Sequence, residues 1–336
     1  MNDAVCIVNA GGWGTALAVL VAQKGCEVRL WTRRPELASE IEAFRENSAY
    51  LPGVSIPPNV HATADLERAV VGASVVIVAT ISRYMRDLAP QLGPLLQPWQ
   101  LVVSGSKGLD EESLRRGTEQ LEAYADPGHR GRIAAISGPN HAEEVSRGIP
   151  TASVVACGDL RVAEELQRVL ATRTFRVYTN PDLLGVELCG TVKNVVAIAA
   201  GMSDGLGYGD NAKAALLTRS LAEIARLVQV MGGQPSTVAG LAGIGDIVAT
   251  CTSKHSRNRG AGEAIAQGLT VQQVRGRSPM EVEGFPATRA ILKLARLKGV
   301  EMPITEQVHA VLFEGVSPQQ GLAQLLTRDF TSEPWM

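Results

Sequence analysis

From Leu183 to Met202 the chain reads LLGVELCGTVKNVVAIAAGM, with Glu187 and Lys193 as its only charged residues. A helix that is apolar nearly all round is an interior element, so other structure has to be wrapped around this segment. On length alone it would span a bilayer, but Glu187, Lys193, Asn194 and three glycines make stable membrane insertion unfavourable. An ammonium buried there is costly unless paired, which predicts a lysine pKa displaced toward neutrality and a group able to exchange protons. Cys189 and Gly190 one turn back, and Ala197 one turn on, are small enough to leave room for a ligand. The plainer alternative is a structural lysine that snorkels outward or pairs with Glu187. Six residues separate that pair, which puts them on different helix faces and disfavours direct pairing.

The rest of the chain is long enough to supply the wrapping. Its 336 residues suffice for two domains, and 45% hydrophobic against 20% charged residues is the balance of a globular protein. A net charge of −2 gives no basic field and argues against nucleic acid as a partner. Cys6, Cys26, Cys157, Cys189 and Cys251 are odd in number and scattered, which fits free thiols in a reducing cytoplasm. Met1-Asn2-Asp3 runs straight into an apolar stretch, without the charged start of a signal peptide, so a cytoplasmic location is expected. His61, His129, His141, His255 and His309 show no ligand spacing, and no metal is assigned.

Up to Asn180-Pro181 short β-branched runs alternate with helical patterns, the grammar of β-α-β units around a parallel-rich sheet. Strands are expected at Ala4–Asn9, Glu27–Thr32, Ser74–Thr80, Leu101–Ser104, Arg132–Ser137, Ala152–Ala156 and Thr174–Tyr178. Leu51–Pro58 is proline-rich and reads as an extended surface loop. Beyond Pro181 strand-like runs give way to helical segments. The expectation is an α/β dinucleotide-binding domain over 1–180 and an all-helical domain, carrying substrate and catalysis, over 181–336.

The first strand ends in NAGGWGTALAVLVAQKG, Asn9 to Gly25: a strand, a glycine-rich turn and a helix, in the order that binds dinucleotides. Gly11 would admit a pyrophosphate close to the backbone, Gly12 would add freedom, and Gly14 would let the helix pack against the sheet. Asn9 stands where the motif begins with glycine, and asparagine tolerates a positive φ better than most residues. After the second strand comes Thr32-Arg33-Arg34, with Glu36 only beyond Pro35. Two arginines where an acid would bind a ribose hydroxyl favour NADPH and leave NADH open.

Polar groups fall where such a fold presents ligands. Lys107, in Ser104-Gly105-Ser106-Lys107-Gly108, and Gly138 with Asn140, in Ser137-Gly138-Pro139-Asn140, both follow strands. Asp246, between glycines and an apolar run, reads as a partly buried carboxylate or a helix cap. Ser256-Arg257-Asn258-Arg259 gathers hydroxyl, guanidinium and amide donors suited to phosphate, or forms a solvated helix start capped by Ser256.

Taken in order, these segments resemble bacterial-type NAD(P)-dependent glycerol-3-phosphate dehydrogenases over nearly the whole chain. The matching stretches include GGWGTALA (Gly11 to Ala18), NSAYLPG (Asn47 to Gly53), SKGLD (Ser106 to Asp110) and ISGPNHAEEV (Ile136 to Val145). They continue through FRVYTNPDLLGVEL (Phe175 to Leu188), TVKNVVAIAAGMSDGLGYGDNAKAALLTR (Thr191 to Arg219), GLAGIGDIVATCTS with SRNR, VEG (Val282 to Gly284) and MPIT (Met302 to Thr305).

The resemblance implies a Rossmann-type domain, then a helical domain like that of 6-phosphogluconate dehydrogenases. It implies reversible reduction of dihydroxyacetone phosphate to sn-glycerol 3-phosphate for phospholipid synthesis, by a homodimer. Carried over by motif, Lys193 exchanges the proton while Lys107 and Asp246 assist. Lys107, Gly138, Asn140, Asp246, Ser256, Arg257 and Asn258 face substrate. Gly12, Trp13, Arg33, Arg34, Lys107, Ala142, Arg257, Glu281 and Glu283 face the cofactor. Four positions depart from the pattern: Asn9 for the first turn glycine, Gly12 for serine, Asn140 for Ser or Thr, and Glu281 for an apolar residue before VEG. Two other readings stand beside this one, a related hydroxyacid dehydrogenase and a non-catalytic dinucleotide sensor. The sensor has no need of Lys193 or Asp246.

Overall fold

The computed structural model describes residues 4–277 and 280–326. By their contacts the residues form two compact units. One holds the chain up to Ser106 together with Arg115–Leu183; the other holds Lys107–Leu114 and the chain from Leu184 on.

Among the described residues the first unit has ten strands: β1 (Val5–Val8), β2 (Val28–Trp31), β3 (Glu46–Asn47), β4 (Leu51–Ser55), β5 (Val60–Thr63), β6 (Val75–Val78), β7 (Leu101–Ser104), β8 (Ile133–Ser137), β9 (Thr151–Ala156) and β10 (Phe175–Asn180). Eight of them form one sheet in the order β10-β9-β8-β7-β6-β1-β2-β5. All neighbours run parallel except β8 and β9. The central strands β1 (VCIV) and β6 (VVIV) are buried at every residue, because helices cover both faces. Those helices are α1 (Gly12–Ala22), α2 (Pro35–Phe44), α3 (Leu66–Val70), α4 (Ser82–Leu92), α5 (Gly117–Glu122), α6 (Ala142–Val145) and α7 (Leu160–Leu170). One core packs Leu17, Leu37 and Leu166 against Ile7 and Ile77; the other packs Val70, Met85 and Leu121 against Cys6 and Val76. This is the expected Rossmann-type α/β architecture.

Two local expectations are corrected. Leu51–Pro58 is not a surface loop: β4 pairs antiparallel with β3, and Leu51, Val54 and Ile56 are buried. The prolines disguised a segment whose Leu51, Val54 and Ile56 anchor it on the core. Val60–Thr63, for which no strand was expected, pairs with β2 and extends the sheet.

The regular elements described in the second unit are helices: α8 (Leu183–Gly205), α9 (Asp210–Val230), α10 (Asp246–Thr252), α11 (Arg257–Ala266), α12 (Val271–Gly276), α13 (Gly284–Lys298), α14 (Pro303–Phe313) and α15 (Pro318–Leu326), with a 3₁₀ turn and a π turn before α10. The apolar run around Lys193 is α8, buried without interruption from Gly185 to Ser203. It is long and apolar enough to cross a membrane, yet 89% of its most apolar window is buried within the protein. Val195, Ile198 and Met202 of α8 share a core with Ala261 and Ile265 of α11, Phe285 of α13 and Val308 of α14. The backbones of α8 and α11 nearly touch: a Cβ on Gly262 would lie 2.1 Å from the Ile198 carbonyl oxygen.

Candidate active site

In the first unit, the turn from β1 into α1 has the backbone that a dinucleotide requires. Asn9 adopts φ +90°, the left-handed region the sequence assigned to it, and its side-chain amide donates to the Ala79 carbonyl at 3.1 Å, just beyond β6. The replacement for glycine therefore keeps the conformation and ties the turn to the neighbouring strand. Gly11 precedes α1 as its cap residue. A Cβ on Gly14 would sit 2.0 Å from the Asn9 carbonyl oxygen, so only glycine lets the helix start this close to the strand. Gly12, where serine is usual, lies under Tyr50: a Cβ there would be 2.9 Å from the Tyr50 carbonyl oxygen and 3.8 Å from the Ala142 Cβ.

These residues suit a dinucleotide. The α1 amino terminus is free of acidic side chains and presents N–H groups to an anion. The Trp13 indole N–H, in the first turn, is buried and has no hydrogen-bond partner among the described residues. A buried donor without a partner is costly, and a ligand oxygen would satisfy it. Beyond β2, the Arg33 guanidinium lies 4.6 Å from the Tyr84 ring centroid, and Arg34 donates to the Tyr50 hydroxyl at 3.2 Å. Gly138 and Asn140 also belong to this unit. Gly138 has φ +128°, and the Asn140 amide donates to the Ser153 hydroxyl at 3.2 Å.

The second unit gathers the charged groups. Lys193, on α8, has Asp246 of α10 as its partner rather than Glu187: Nζ to Oδ1 is 3.1 Å. Lys107 reaches the other oxygen of the same carboxylate at 2.8 Å. The three side chains are 10%, 13% and 3% exposed for Lys193, Lys107 and Asp246, so water screens them little. Thr250, one turn on from Asp246, closes the arrangement. Its hydroxyl accepts from Lys193 Nζ at 2.9 Å and donates to Asp246 Oδ1 at 3.0 Å.

Burial drives the Lys107 pKa down, Asp246 offsets part of that, and the second ammonium lowers it further; it settles at about 8. For Asp246 burial works upward, but Lys107 and then Lys193 outweigh it and hold the carboxyl below its ordinary value. Two ammonium groups on one carboxylate leave a net positive site, suited to an anionic substrate or a developing alkoxide.

The Lys107 loop is pinned inside this unit. Its carbonyl accepts from the Asn194 amide at 3.0 Å, while Glu111 pairs with Arg289 of α13 at 3.1 Å and Lys293 donates to the Glu112 carbonyl at 3.0 Å. Asn258 continues the chain of amides, donating to Asn194 Oδ1 at 2.8 Å and accepting from the Gly284 N–H at 2.9 Å. That leaves the Asn258 amide one N–H for a ligand. Ser256 is the cap that the sequence allowed, accepting from the Arg259 N–H, with its own O–H available to donate. Arg257 is exposed and uses one donor on the Glu281 carbonyl at 3.0 Å, keeping the rest of its fork. Glu283 precedes α13 and adds a negative field at Lys107.

Sequence reading missed Thr250 and Asn194. A hydroxyl four residues beyond a candidate carboxylate, and an amide beside a candidate lysine, were the available signals. Among the described residues no three His, Cys, Asp or Glu side chains cluster in a way that would hold a metal ion.

Comparison with known proteins gives consistent matches along the chain. Residues 4–163 match the family described as NAD-dependent glycerol-3-phosphate dehydrogenase N-terminus, and residues 182–323 match the corresponding C-terminus. A glycerol-3-phosphate dehydrogenase [NAD(P)+] of Pelotomaculum thermopropionicum is 47% identical over 99% of this chain and 95% of its own length. One from Geobacter sulfurreducens is 45% identical over the full length of both. The crystal structure of glycerol-3-phosphate dehydrogenase from Coxiella burnetii superposes with a TM-score of 0.92 at 39% identity, covering 97% of this chain and 99% of that one.

Proposed function

Since this chain belongs to the NAD-dependent glycerol-3-phosphate dehydrogenase family, we propose that Lys193 is the proton donor in its NAD(P)H-dependent reduction of dihydroxyacetone phosphate to sn-glycerol 3-phosphate. The observation that carries this reading is the shared carboxylate: Asp246 holds Lys107 and Lys193 at 2.8 and 3.1 Å.

Gly11, Gly12, Trp13 and Gly14 would hold the pyrophosphate end of NAD(P)H, and Arg33 and Arg34 its ribose end, which favours NADPH; the chemistry the cofactor would supply is hydride donation to the ketone carbon. As negative charge grows on the ketone oxygen, Lys107 and Lys193 stabilise it, and Lys193 Nζ gives up the proton. Thr250 fixes the direction of that ammonium, and Asp246 keeps both lysines in place before and after transfer. Ser256, Arg257 and the remaining N–H of Asn258 hold the phosphate, which fixes the carbonyl against the amine. Gly138 and Asn140 complete the substrate contacts; Ala142, Glu281 and Glu283 complete those of the cofactor. In the reverse direction the same lysine accepts the alcohol proton. The reading carries with it a cytoplasmic homodimer, and light scattering of the purified protein tests the second half of that statement.

The direct test follows the absorbance of NADPH and NADH on adding dihydroxyacetone phosphate to the wild type and to Lys193→Ala. Loss of about 100-fold or more in turnover is expected for the variant. Near-normal turnover rejects Lys193 as the proton donor.

A further inference from the structure

Two guanidinium groups converge on one phenol ring at the edge of the first unit's sheet. Arg33 and Arg83 each place Cζ 4.6 Å from the centroid of Tyr84, so the two cations stand no farther apart than twice that distance. Arg83 also donates to the Tyr84 hydroxyl. Arg33 follows β2, whereas Arg83 lies in the first turn of α4, which follows β6. β2 and β6 are the two neighbours of β1, one on each side. The carboxyl ends of both flanking strands therefore direct an arginine to one spot, on the edge where such sheets bind the adenosine ribose.

Chemistry narrows what belongs there. Guanidinium is planar and stacks on an aromatic face, which orients its N–H edge and limits the rotamer freedom lost on binding. Two such forks near each other repel, and a dianion offering several oxygens turns that repulsion into attraction. A third cation, Arg34, rests over Tyr50, its Cζ 5.8 Å from that ring centroid. The segment after β2, Thr32-Arg33-Arg34-Pro35, has no carboxylate that would accept from a bare ribose hydroxyl.

We infer that Arg83, stacked with Arg33 on Tyr84, forms the second half of a clamp for the 2′-phosphate of NADPH and so helps determine cofactor preference. This rests on the reading that the site takes the phosphorylated nucleotide. Sequence position did not suggest Arg83, because the residue is remote from the β2 end and only the sheet order brings it near.

The test is calorimetric binding of 2′,5′-ADP and 5′-ADP to the full-length protein, as wild type, Arg33→Ala, Arg83→Ala and Arg83→Lys. The wild type should bind 2′,5′-ADP at least about 10-fold more tightly than 5′-ADP. Arg83→Ala should lose about 10-fold or more for 2′,5′-ADP while 5′-ADP stays within about twofold, with Arg83→Lys intermediate. No preference in the wild type overturns both the NADPH reading and the clamp. Wild-type preference that survives in Arg83→Ala but vanishes in Arg33→Ala overturns the role of Arg83 alone. Equal loss for both nucleotides in Arg83→Ala assigns it a structural role and overturns the inference; should that variant not fold, equal loss in Arg83→Lys decides the same way.

Discussion

Lys107 and Lys193 sit on opposite oxygens of one carboxylate, so the Lys107 ammonium feels both the attraction of Asp246 and the repulsion of a second buried cation. With the Lys107 pKa brought down to about 8, its positive charge is lost in the folded protein well before it would be lost from an unfolded chain. The kcat/KM for ketone reduction should therefore fall along an alkaline limb near pH 8. Lys107→Arg, which stays charged, should move that limb upward by a unit or more. A pH–rate profile checks this, and an unmoved limb rejects the assignment. Stability has its own sign. Between about pH 8 and 10.5 the unfolded chain holds more protons on this residue, so the cost of burying the charge is relieved as pH rises through that window.

Among the described residues, Thr250 is the neutral group that joins Lys193 to Asp246. Thr250→Val keeps the shape and removes the hydroxyl. Turnover should fall roughly 10-fold with little change in KM, since the amine loses direction while the phosphate-holding residues are untouched. Thr250→Ser should restore most of the loss. A change confined to KM would argue against an orienting role.

Glu223 of α9 is buried at the start of α14, accepting the Ile304 N–H at 2.6 Å. Burial lifts its carboxyl pKa to about 7, although the backbone donors pull it back. A raised carboxyl pKa contributes most below pH 4.5, and that contribution is lost as pH climbs toward 7. Glu223→Gln keeps an acceptor for Ile304 without the charge. Urea midpoints measured across pH 4.5 to 7 should decline for the wild type relative to this variant. Parallel curves would show that the carboxyl does not titrate there.

At Gly262 an added methyl would press into the Ile198 carbonyl, backbone against backbone. Gly262→Ala should cost about 1–3 kcal/mol of stability by overpacking. Because α11 is capped by Ser256 and begins with Arg257-Asn258, and α8 carries Lys193, separating the helices should also raise KM for dihydroxyacetone phosphate. Denaturation together with steady-state kinetics measures both effects, and an unchanged midpoint would contradict the close approach.

Local chemistry alone determined much of this protein. The apolar run around Lys193 had to be an interior helix, and the NAGGWG turn had to follow one strand and open a helix, because periodicity and glycine act over a few residues. The β3–β4 hairpin and β5 escaped notice because they are short, interrupted by prolines and without a period-two apolar pattern, so pairing with a neighbouring strand is what fixes them. Tertiary structure alone decided which charges meet. Lys107 follows a strand of the first unit yet packs in the second, and Asp246 chose it and Lys193 rather than capping a helix. Electrostatic pairing depends on distance in space, and residues far apart along a chain leave no local pattern from which that distance can be read.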